Sequence, residues 1–255
     1  MSDSDLKQLN FPQTISDSSI KGIILVEICD KVVCDALSQF NLPIVSVDMP
    51  NVPFEELNGI DVVTMESKKN LKKIINQLIE KGAESFGFVG DLYSPNVSRG
   101  FQERYNALSE CLAEHQLPLN QKNCLLHQTP EDFRNFQTTV NNLQAMISLP
   151  DVFICGNDWT AIQLIYALQF LGFQIPKDIC VVGFDNIPAA SRISPSLTTI
   201  STPQKYLGIA AARQILERIQ HPNCPHVFCQ YETELIIRNS TNIISVSYTH
   251  LRAHE

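Results

Sequence analysis

Apolar runs and segments of helical periodicity alternate along most of this chain. Continuous apolar runs bounded by turn residues predict strands that are buried on both faces. These runs are GIILVEI (22–28), PIVSVD (43–48), IDVVTM (60–65), SFGFVG (85–90), NCLLH (123–127), DVFIC (151–155) and ICVVGF (179–184). A last extended stretch is predicted from His226 to Arg238.

Between the runs, apolar residues recur every three or four positions, which is the spacing of a helix with one buried face. The clearest case is KKNLKKIINQLIEKG, which ends at Gly82, a residue type that favours helix termination. A helix-start signal at 129–132 precedes an apolar stripe of Phe133, Phe136, Val140, Leu143 and Ile147. Further helices are predicted near 30–40, from about 101 to 112, over 158–171 and from 202 to about 219.

Buried strands separated by single helices are typical of parallel sheets that carry helices on both faces. The sequence therefore predicts an α/β fold. Its 255 residues exceed the length of most single domains, so two lobes are expected.

Polar residues stand at the ends of several predicted strands. They are Asp48, Asn157, Asp158, Asp185 and Asn186, with Arg104 early in the helix that follows SFGFVG. In open parallel sheets, ligands bind beyond the carboxyl ends of the strands, so these side chains are expected to converge. Carboxylates accept hydrogen bonds from hydroxyls, Asn both donates and accepts, and Arg presents five donors, which together suit a polyol. Trp159 and Phe184 are candidates for the apolar wall of such a pocket.

Each of these residues also has a purely structural interpretation. Asp48, Asp185 and Asn157 are residue types that cap helices. Arg104 would be a solvated helix residue, since Arg is mostly exposed, and Trp159 would be a core residue. The functional interpretation depends on several suitable groups lying at equivalent ends of different strands.

Composition narrows the class of protein. The chain has 44% hydrophobic and 18% charged residues, the mix of a globular protein. A net charge of −8 argues against direct binding to nucleic-acid phosphates. No apolar stretch approaches the roughly 18 residues of a membrane helix, and MSDSDLKQLN lacks the features of a signal peptide. We therefore expect a cytoplasmic protein that binds a small molecule and has no membrane partner.

The eight cysteines are expected to be free thiols in a reducing cytosol. One segment, HPNCPHVFC, combines His221, Cys224, His226 and Cys229, which are ligand types suited to Zn²⁺. Two prolines stiffen it and no second pair of ligands is present, so a surface turn leading into a strand is the preferred interpretation. Neither a metal nor a cofactor is predicted.

Sequence signatures of catalysis were sought and not found. The chain contains no GxSxG, GxxxxGK[ST] or HExxH motif. GFVG is similar to a glycine-rich turn but lacks the GxGxxG spacing of dinucleotide-binding loops. The sequence therefore predicts a binding protein rather than an enzyme.

Several segments resemble the LacI/GalR family of bacterial transcription regulators. The most specific is 152–200, which carries the patterns ND-x-x-A, G-x-x-[IV]P-x-D-[IV]-x-VVGFD and P-x-LTT[IV]. Further matches lie at 43–48, 75–90, 103–108 and 234–241, so the resemblance covers most of residues 20–241.

The resemblance implies the two-lobed α/β fold of type I periplasmic sugar-binding proteins, with three crossovers between the lobes. By matching positions, the N-terminal lobe comprises residues 1–65 and 203–230. The C-terminal lobe comprises residues 66–202 and 231–241.

A sugar-like effector is implied to lie between these lobes. The family's effector-contacting positions fall on Asp48, Arg104, Asn157 and Asp185, with Thr202 and Gln204 at the second crossover as weaker candidates. The family works as dimers or tetramers, and effector binding biases lobe closure and thereby DNA affinity.

Departures from the family qualify this implication. Its helix-turn-helix and hinge helix are missing, so operator DNA would be bound only through a missing N-terminal domain. The opening strands are missing too, which makes the first lobe incomplete and leaves the apolar edge of GIILVEI unpaired, an aggregation hazard. Asn70 and Ala107 replace glycines, and Val26 stands where some members carry a polar contact. Residues 242–255 match nothing in the family and are interpreted as a foreign tail.

The implied function is the effector-binding and oligomerisation core of a transcriptional repressor. It would act as a homodimer and bind a sugar or sugar phosphate. The alternative is a sugar-binding receptor of a transport system. A third possibility, an enzyme on a flavodoxin-like sheet, lacks a catalytic constellation.

Overall fold

Two separate sheets organise the chain in the computed structural model, which describes residues 8–17, 19–93, 97–126, 132 and 135–241. The first sheet contains, in spatial order, the parallel strands β1 (Ile23–Val26), β2 (Ile44–Val47), β3 (Ile60–Met65) and β8 (Phe228–Tyr231). The second contains β4 (Phe86–Val89), β5 (Val152–Cys155), β6 (Cys180–Asp185), β7 (Thr198–Ser201) and β9 (Glu234–Ile236). Only β9 runs antiparallel to its neighbour, β7, among these described strands.

Helices cover both faces of each sheet. On the first sheet they are α1 (Lys31–Ser38) and α6 (Gln204–Gln220). On the second sheet they are α2 (Lys69–Glu80) and α3 (Arg99–Glu114) on one face, and α4 (Phe136–Gln144) and α5 (Asp158–Phe170) on the other. The predicted α/β class with helix-flanked parallel sheets is confirmed.

The chain passes between the two sheets at three places in the described structure. It leaves the first sheet between β3 and α2, returns between β7 and α6, and leaves again between β8 and β9. These passages support the lobe boundaries near 65, 202 and 230 that the resemblance implies. The boundaries themselves remain a proposal.

A buried ion pair fastens α6 to β3 inside the first lobe. Nη2 of Arg218 donates to Oδ1 of Asp61 over 2.7 Å, and Nε donates to Oδ2 over 3.0 Å. Gln214 and the backbone N–H of Val227 donate to the same carboxylate. Burial acts to raise the pKa of Asp61, but the hydrogen bonds from Arg218, Gln214 and Val227 outweigh it and lower that pKa. The carboxylate is therefore held in its charged form.

The same arginine organises the segment for which a metal site was considered. Arg218 donates to the backbone carbonyls of Pro222, Cys224 and Pro225. His226 bonds through Nδ1 to Asp61 over 3.2 Å. The segment is a turn leading into β8, as preferred from the sequence. In the described part of the chain, no three His, Cys, Asp or Glu side chains are grouped to hold a metal ion.

The strand β1 lies at one end of the first sheet. Its N–H groups at Ile23 and, just after the strand, at Glu27 donate towards β2, to the carbonyls of Pro43 and Val47. Because backbone N–H and C=O groups alternate in direction along a strand, the backbone groups of Ile24 and Val26 point to the open edge of the sheet. The side chains of Ile24 and Val26 are apolar and are 41% and 61% exposed. The apolar edge expected from the sequence is thus present in the described residues.

The prediction of a strand at NCLLH is wrong. Residues Gln121–Asn123 form a 3-10 turn, in which the side chain of Asn120 accepts from the N–H of Lys122, and Leu125 forms a single bridge to Val89. The carbonyl of Asn123 comes so close to Gly87 that a Cβ on Gly87 would lie 2.1 Å from its oxygen. This turn takes up the residues that would have extended the strand. His127 lies outside the described residues.

Two other element boundaries also differ from the prediction. The helix-start signal at 129–132 and Phe133 lie outside the described residues, apart from Asp132. Helix α4 begins after Asn135, whose side chain accepts from the N–H of Thr138, and ends at Gln144. Ile147 is therefore 94% exposed and does not continue the buried stripe. The final extended stretch is divided into β8 and β9, because the chain changes lobe between them.

None of the helices in the described ranges combines the length and the hydropathy needed to cross a bilayer.

Candidate functional site

The loops that follow the strands of both sheets meet in one region. After β2, the carbonyl of Met49 accepts from the N–H of Arg99 at the start of α3, over 3.0 Å. Pro50 and Ser98 form an antiparallel bridge beside it. Asp48 from the first sheet and Asp185 from the second both act electrostatically on Arg104 of α3. Strand-end residues of the two lobes thus lie together in one region, which we call the cleft.

Arg104 is the central group of this cleft. It is only 4% exposed, so the alternative of a solvated helix residue is wrong. Its guanidinium carbon lies 3.5 Å from the centroid of the Phe184 ring, and Nη1 donates to the carbonyl of Gly156 over 2.7 Å. Among the described residues, Nε of Arg104 has no hydrogen-bond partner. Stacking on one face fixes the guanidinium while leaving donors for a guest.

Asp48 enters the cleft from the first lobe. Its Oδ1 accepts from the N–H of Met49 over 2.8 Å, and its backbone is left-handed, with φ of 70°. Burial raises the pKa of this carboxyl, while the Met49 N–H, the charge of Arg104 and the Ser98 side chain act in the opposite direction. Since no regular helix begins directly after Asp48, the helix-cap alternative does not describe it.

Asp185 enters the cleft from the second lobe. It is the last residue of β6 and has a left-handed backbone, with φ of 115°. Burial raises its pKa to about 7, and the opposing effect of Arg104 is smaller. Among the described residues, no acidic group lies within 4.0 Å of the Arg104 guanidinium to form an ion pair with it. The carboxylates and the guanidinium are therefore near one another but do not form hydrogen bonds to each other, so these groups remain available to a ligand.

The other polar residues predicted for the site differ in whether the structure leaves them free to face a ligand. Asn157 caps α5, because its Oδ1 accepts from the N–H of Thr160 over 2.9 Å, which leaves its amide NH₂ as the group it can offer to a guest. Thr202 donates from Oγ1 to the carbonyl of Asp185 over 3.3 Å, so it supports that residue directly. Gln204 is the exposed first residue of α6.

Trp159 is misplaced by both sequence interpretations. The side chain is 64% exposed, so it is not a core residue. It lies on an exposed apolar surface with Tyr166, Ile187, Pro188, Ala189, Arg192 and Ile193. Residue 159 follows the buried Asp158, and successive residues of a helix point in different directions, so one faces inward and the other outward. Trp159 is therefore not a residue of the cleft.

Two residues that sequence reasoning missed lie beside Asp48. Glu27 follows β1, donates its N–H to the carbonyl of Val47 and has a left-handed φ of 56°. It acts electrostatically on both Asp48 and Asp185. The strand-end rule that selected Asp48 would have selected Glu27 as well. Ser98 could not have been found in this way, because it stands in the other lobe and comes near Asp48 only in the tertiary structure.

Comparison with known proteins identifies the family of this fold. The model of the periplasmic binding protein-like domain family matches residues 75–241. A ribose operon repressor from Haemophilus influenzae is 27% identical over 231 residues, which cover 89% of this chain and 66% of that protein. The chain spans about two thirds of the length of the curated relatives it matches.

Solved structures share the fold at lower identity. The transcriptional regulator CelR in complex with cellobiose has a TM-score of 0.77 and 19% identity, covering 94% of this chain and 71% of that one. A LacI family transcriptional regulator from Enterococcus faecium with bound ribose has a TM-score of 0.72 and 23% identity, covering 89% and 81%.

Two helix-flanked sheets with polar residues at their neighbouring strand ends are the architecture of the periplasmic binding protein-like class. The chain belongs to the periplasmic binding protein-like domain family, and relatives that it matches are named as a ribose operon repressor, the repressor PurR and a catabolite control protein. The resemblance stated from the sequence is confirmed.

Proposed function

We propose that this chain is the effector-binding and oligomerisation core of a LacI/GalR-type transcriptional regulator, and that its effector is a sugar-like molecule. The observation that carries the proposal is the state of Arg104. A guanidinium that is buried, stacked on Phe184 and unpaired at Nε needs a hydrogen-bonding guest. Asp48 and Asp185, one from each lobe, supply acceptors on either side.

A polyol fits this set of groups. Vicinal hydroxyls donate to the carboxylates and accept from Arg104 and from the amide of Asn157. An effector that contacts both lobes stabilises the closed arrangement of the lobes, so binding favours that arrangement over a more open one. The ribose and cellobiose named for two solved structures are sugars of this kind.

The class of regulator is favoured over a transport receptor. The curated relatives are named as repressors and control proteins of transcription. We expect a cytoplasmic binding protein without enzymatic activity, in which operator DNA is contacted by a separate domain.

The exposed apolar surface supports a homodimer. Helix α5 is apolar on both of its faces, and its outer face exposes Trp159, Tyr166 and Phe170 by 64%, 43% and 67%. A helix that is apolar all round is normally covered on all sides. Aromatic side chains beside an arginine, here Arg192, are the residue types enriched at protein interfaces. The proposed occupant of this surface is a second copy of the chain.

The test is calorimetry with D-ribose, D-xylulose, D-galactose and cellobiose. We expect at least one sugar to bind, and Asp185→Ala to weaken that binding tenfold to hundredfold, since losing a charged hydrogen bond costs about 1.5–3 kcal/mol. Asp35→Ala is the control, because Asp35 pairs with Lys31 on the surface of α1. Sugar affinity that Asp185→Ala leaves unchanged would contradict the assignment of the cleft.

A further inference from the structure

The buried carboxylate of Asp158 has no part in the contacts described so far. It is the first residue of α5 and is fully buried. Its Oδ1 accepts from the hydroxyl of Thr199 over 2.6 Å, and its Oδ2 accepts from the N–H of Ile187 over 2.9 Å. The N–H of Asn186 donates to the hydroxyl oxygen of Thr199 over 3.4 Å. A carboxylate with these partners is held in one position.

The partners of Asp158 belong to a strained turn. Asp185 and Asn186 are consecutive non-glycine residues with left-handed backbones, at φ of 115° and 57°. Such conformations cost free energy and persist only where the surroundings hold them. The backbone N–H of Ile187 donates to Asp158 directly, and that of Asn186 donates to the Thr199 hydroxyl, which itself donates to Asp158. The carboxylate therefore fixes the turn directly behind the effector-facing Asp185.

Asp158 is packed tightly against β6. A Cβ added to Gly183 of β6 would lie 2.2 Å from Oδ1 of Asp158 and 2.8 Å from a methyl carbon of Leu197. Only glycine allows β6 to pass this close to the carboxylate. On its far side the turn is held by Arg238, whose Nη2 donates to Oδ1 of Asn186 over 2.6 Å.

We propose that Asp158 is a positioning residue of the effector site, which holds the 185–187 turn so that the carboxylate of Asp185 faces Arg104 and the guest. This inference rests on the proposed function. It adds that the affinity for the guest depends on a group that does not touch it, through hydrogen bonds from Thr199 and Ile187.

The charge state of Asp158 bears on this role. Burial raises its pKa to about 6, while the Thr199 hydroxyl, the nearby backbone N–H groups of Ile187 and Asn186 and the charge of Arg238 act to lower it. The other charged or titratable groups that act on it or feel its charge are Arg104, Asp185 and Cys155. Below pH 6 the protonated carboxyl loses acceptor capacity, so the turn loosens and affinity falls.

The experiment measures the affinity of the full chain for the tightest-binding sugar of the calorimetry panel. We expect Asp158→Asn to weaken binding at least about tenfold, because the amide keeps one acceptor oxygen in place of two and loses the negative charge. Since that variant can fail to fold, Thr199→Val and Thr199→Ser form a second, milder pair. Loss of the hydroxyl should weaken binding about threefold to tenfold, and Ser should restore it to within about twofold.

A matched control separates positioning from general stability. Asp151 stands at the opposite end of β5 and accepts from the N–H groups of Glu84 and Ser85 and from the Ser85 hydroxyl. We expect Asp151→Asn to lower the midpoint of thermal unfolding without changing sugar affinity. Equal affinity of the Thr199→Val and Thr199→Ser variants would overturn the inference while leaving the proposed function intact. If the wild-type chain binds no sugar of the panel, both fail together.

Discussion

Arg104 illustrates how context decides the role of a single residue. In the sequence it is one arginine of an amphipathic helix, a position at which arginine is usually solvated. In the structure it is buried against Phe184, and Phe101 lies at a centroid distance of 5.4 Å. A Cβ on Gly156 would lie 2.4 Å from the ring of Phe101, so glycine is required for this ring to sit there. Among the described residues, aromatic rings and a backbone carbonyl, and no ion pair with a neighbouring acidic residue, therefore hold the guanidinium in place.

At the same scale, Asp185 makes effector affinity depend on pH. Its pKa of about 7 means that a large fraction of the carboxyl is protonated in neutral solution. Sugar hydroxyls donate to the ionised form, so affinity should fall as pH drops below 7, approaching about tenfold per pH unit. Calorimetry between pH 6 and pH 8 measures this slope. Asp185→Asn should flatten the slope between pH 6.5 and pH 8, and a flat wild-type profile would contradict the prediction.

The stability of the sugar-free protein should change in the opposite direction. The pKa values of Asp185 and Asp158, about 7 and about 6, are raised above the 3.8 of an unperturbed aspartate. The folded state then binds more protons than the unfolded state between pH 4 and pH 7, so the free energy of unfolding decreases as pH rises through this interval. Thermal unfolding with and without sugar separates the two effects.

At the scale of elements, α6 is attached to the first sheet by one ion pair in addition to apolar packing. Leu207, Ala211 and Ile215 pack on the sheet, and Arg218 reaches Asp61 beneath them. Removing one partner of a buried ion pair leaves the other charge uncompensated.

We predict that Arg218→Met lowers the free energy of unfolding by about 3–5 kcal/mol. Arg213→Met is a matched control on the same helix, since Arg213 is exposed, and should change stability by less than about 0.5 kcal/mol. Urea unfolding followed by circular dichroism measures both. Equal midpoints for the two variants would show that the ion pair contributes no net stability.

At the scale of the whole molecule, the apolar surface around Trp159 predicts self-association. Tyr166→Asp introduces a charge at its centre and should shift the protein from dimer to monomer, because a buried unpaired charge opposes association. Sedimentation equilibrium measures the change against the 28.6 kDa mass of one chain. Leu216→Asp is the control on an exposed position of α6 and should leave the dimer unchanged. A wild-type monomer at high protein concentration would refute the proposed interface.

Most of the fold was predictable from the sequence because it rests on local periodicity. Continuous apolar runs such as ICVVGF and the stripe of α2 each specify one element without reference to the rest of the chain. The failures have non-local causes. NCLLH is apolar enough for a strand, but its pairing is limited by the approach of Asn123 to Gly87.

The site was predictable only in part, for a related reason. The rule that ligands lie beyond strand ends places Asp48 and Asp185 correctly near Arg104, because strand ends are visible in the sequence. Sequence alone does not show on which side of α5 each residue falls, so Trp159 was assigned to the cleft and Asp158 was grouped with the residues expected to converge on the ligand.

The sequence by itself determined the α/β class, most of the strands and helices and the residue types available for a polyol, because these depend on neighbouring positions along the chain. Only the tertiary structure decided which charges remain unpaired. The burial of Arg104, the left-handed turn at Asp185 and the support from Asp158 all depend on contacts between residues more than 25 positions apart, such as that from Asp158 to Ile187 or from Arg104 to Gly156. Desolvation and hydrogen bonding act through space, and the hydropathy pattern of a chain does not record which distant residues will meet.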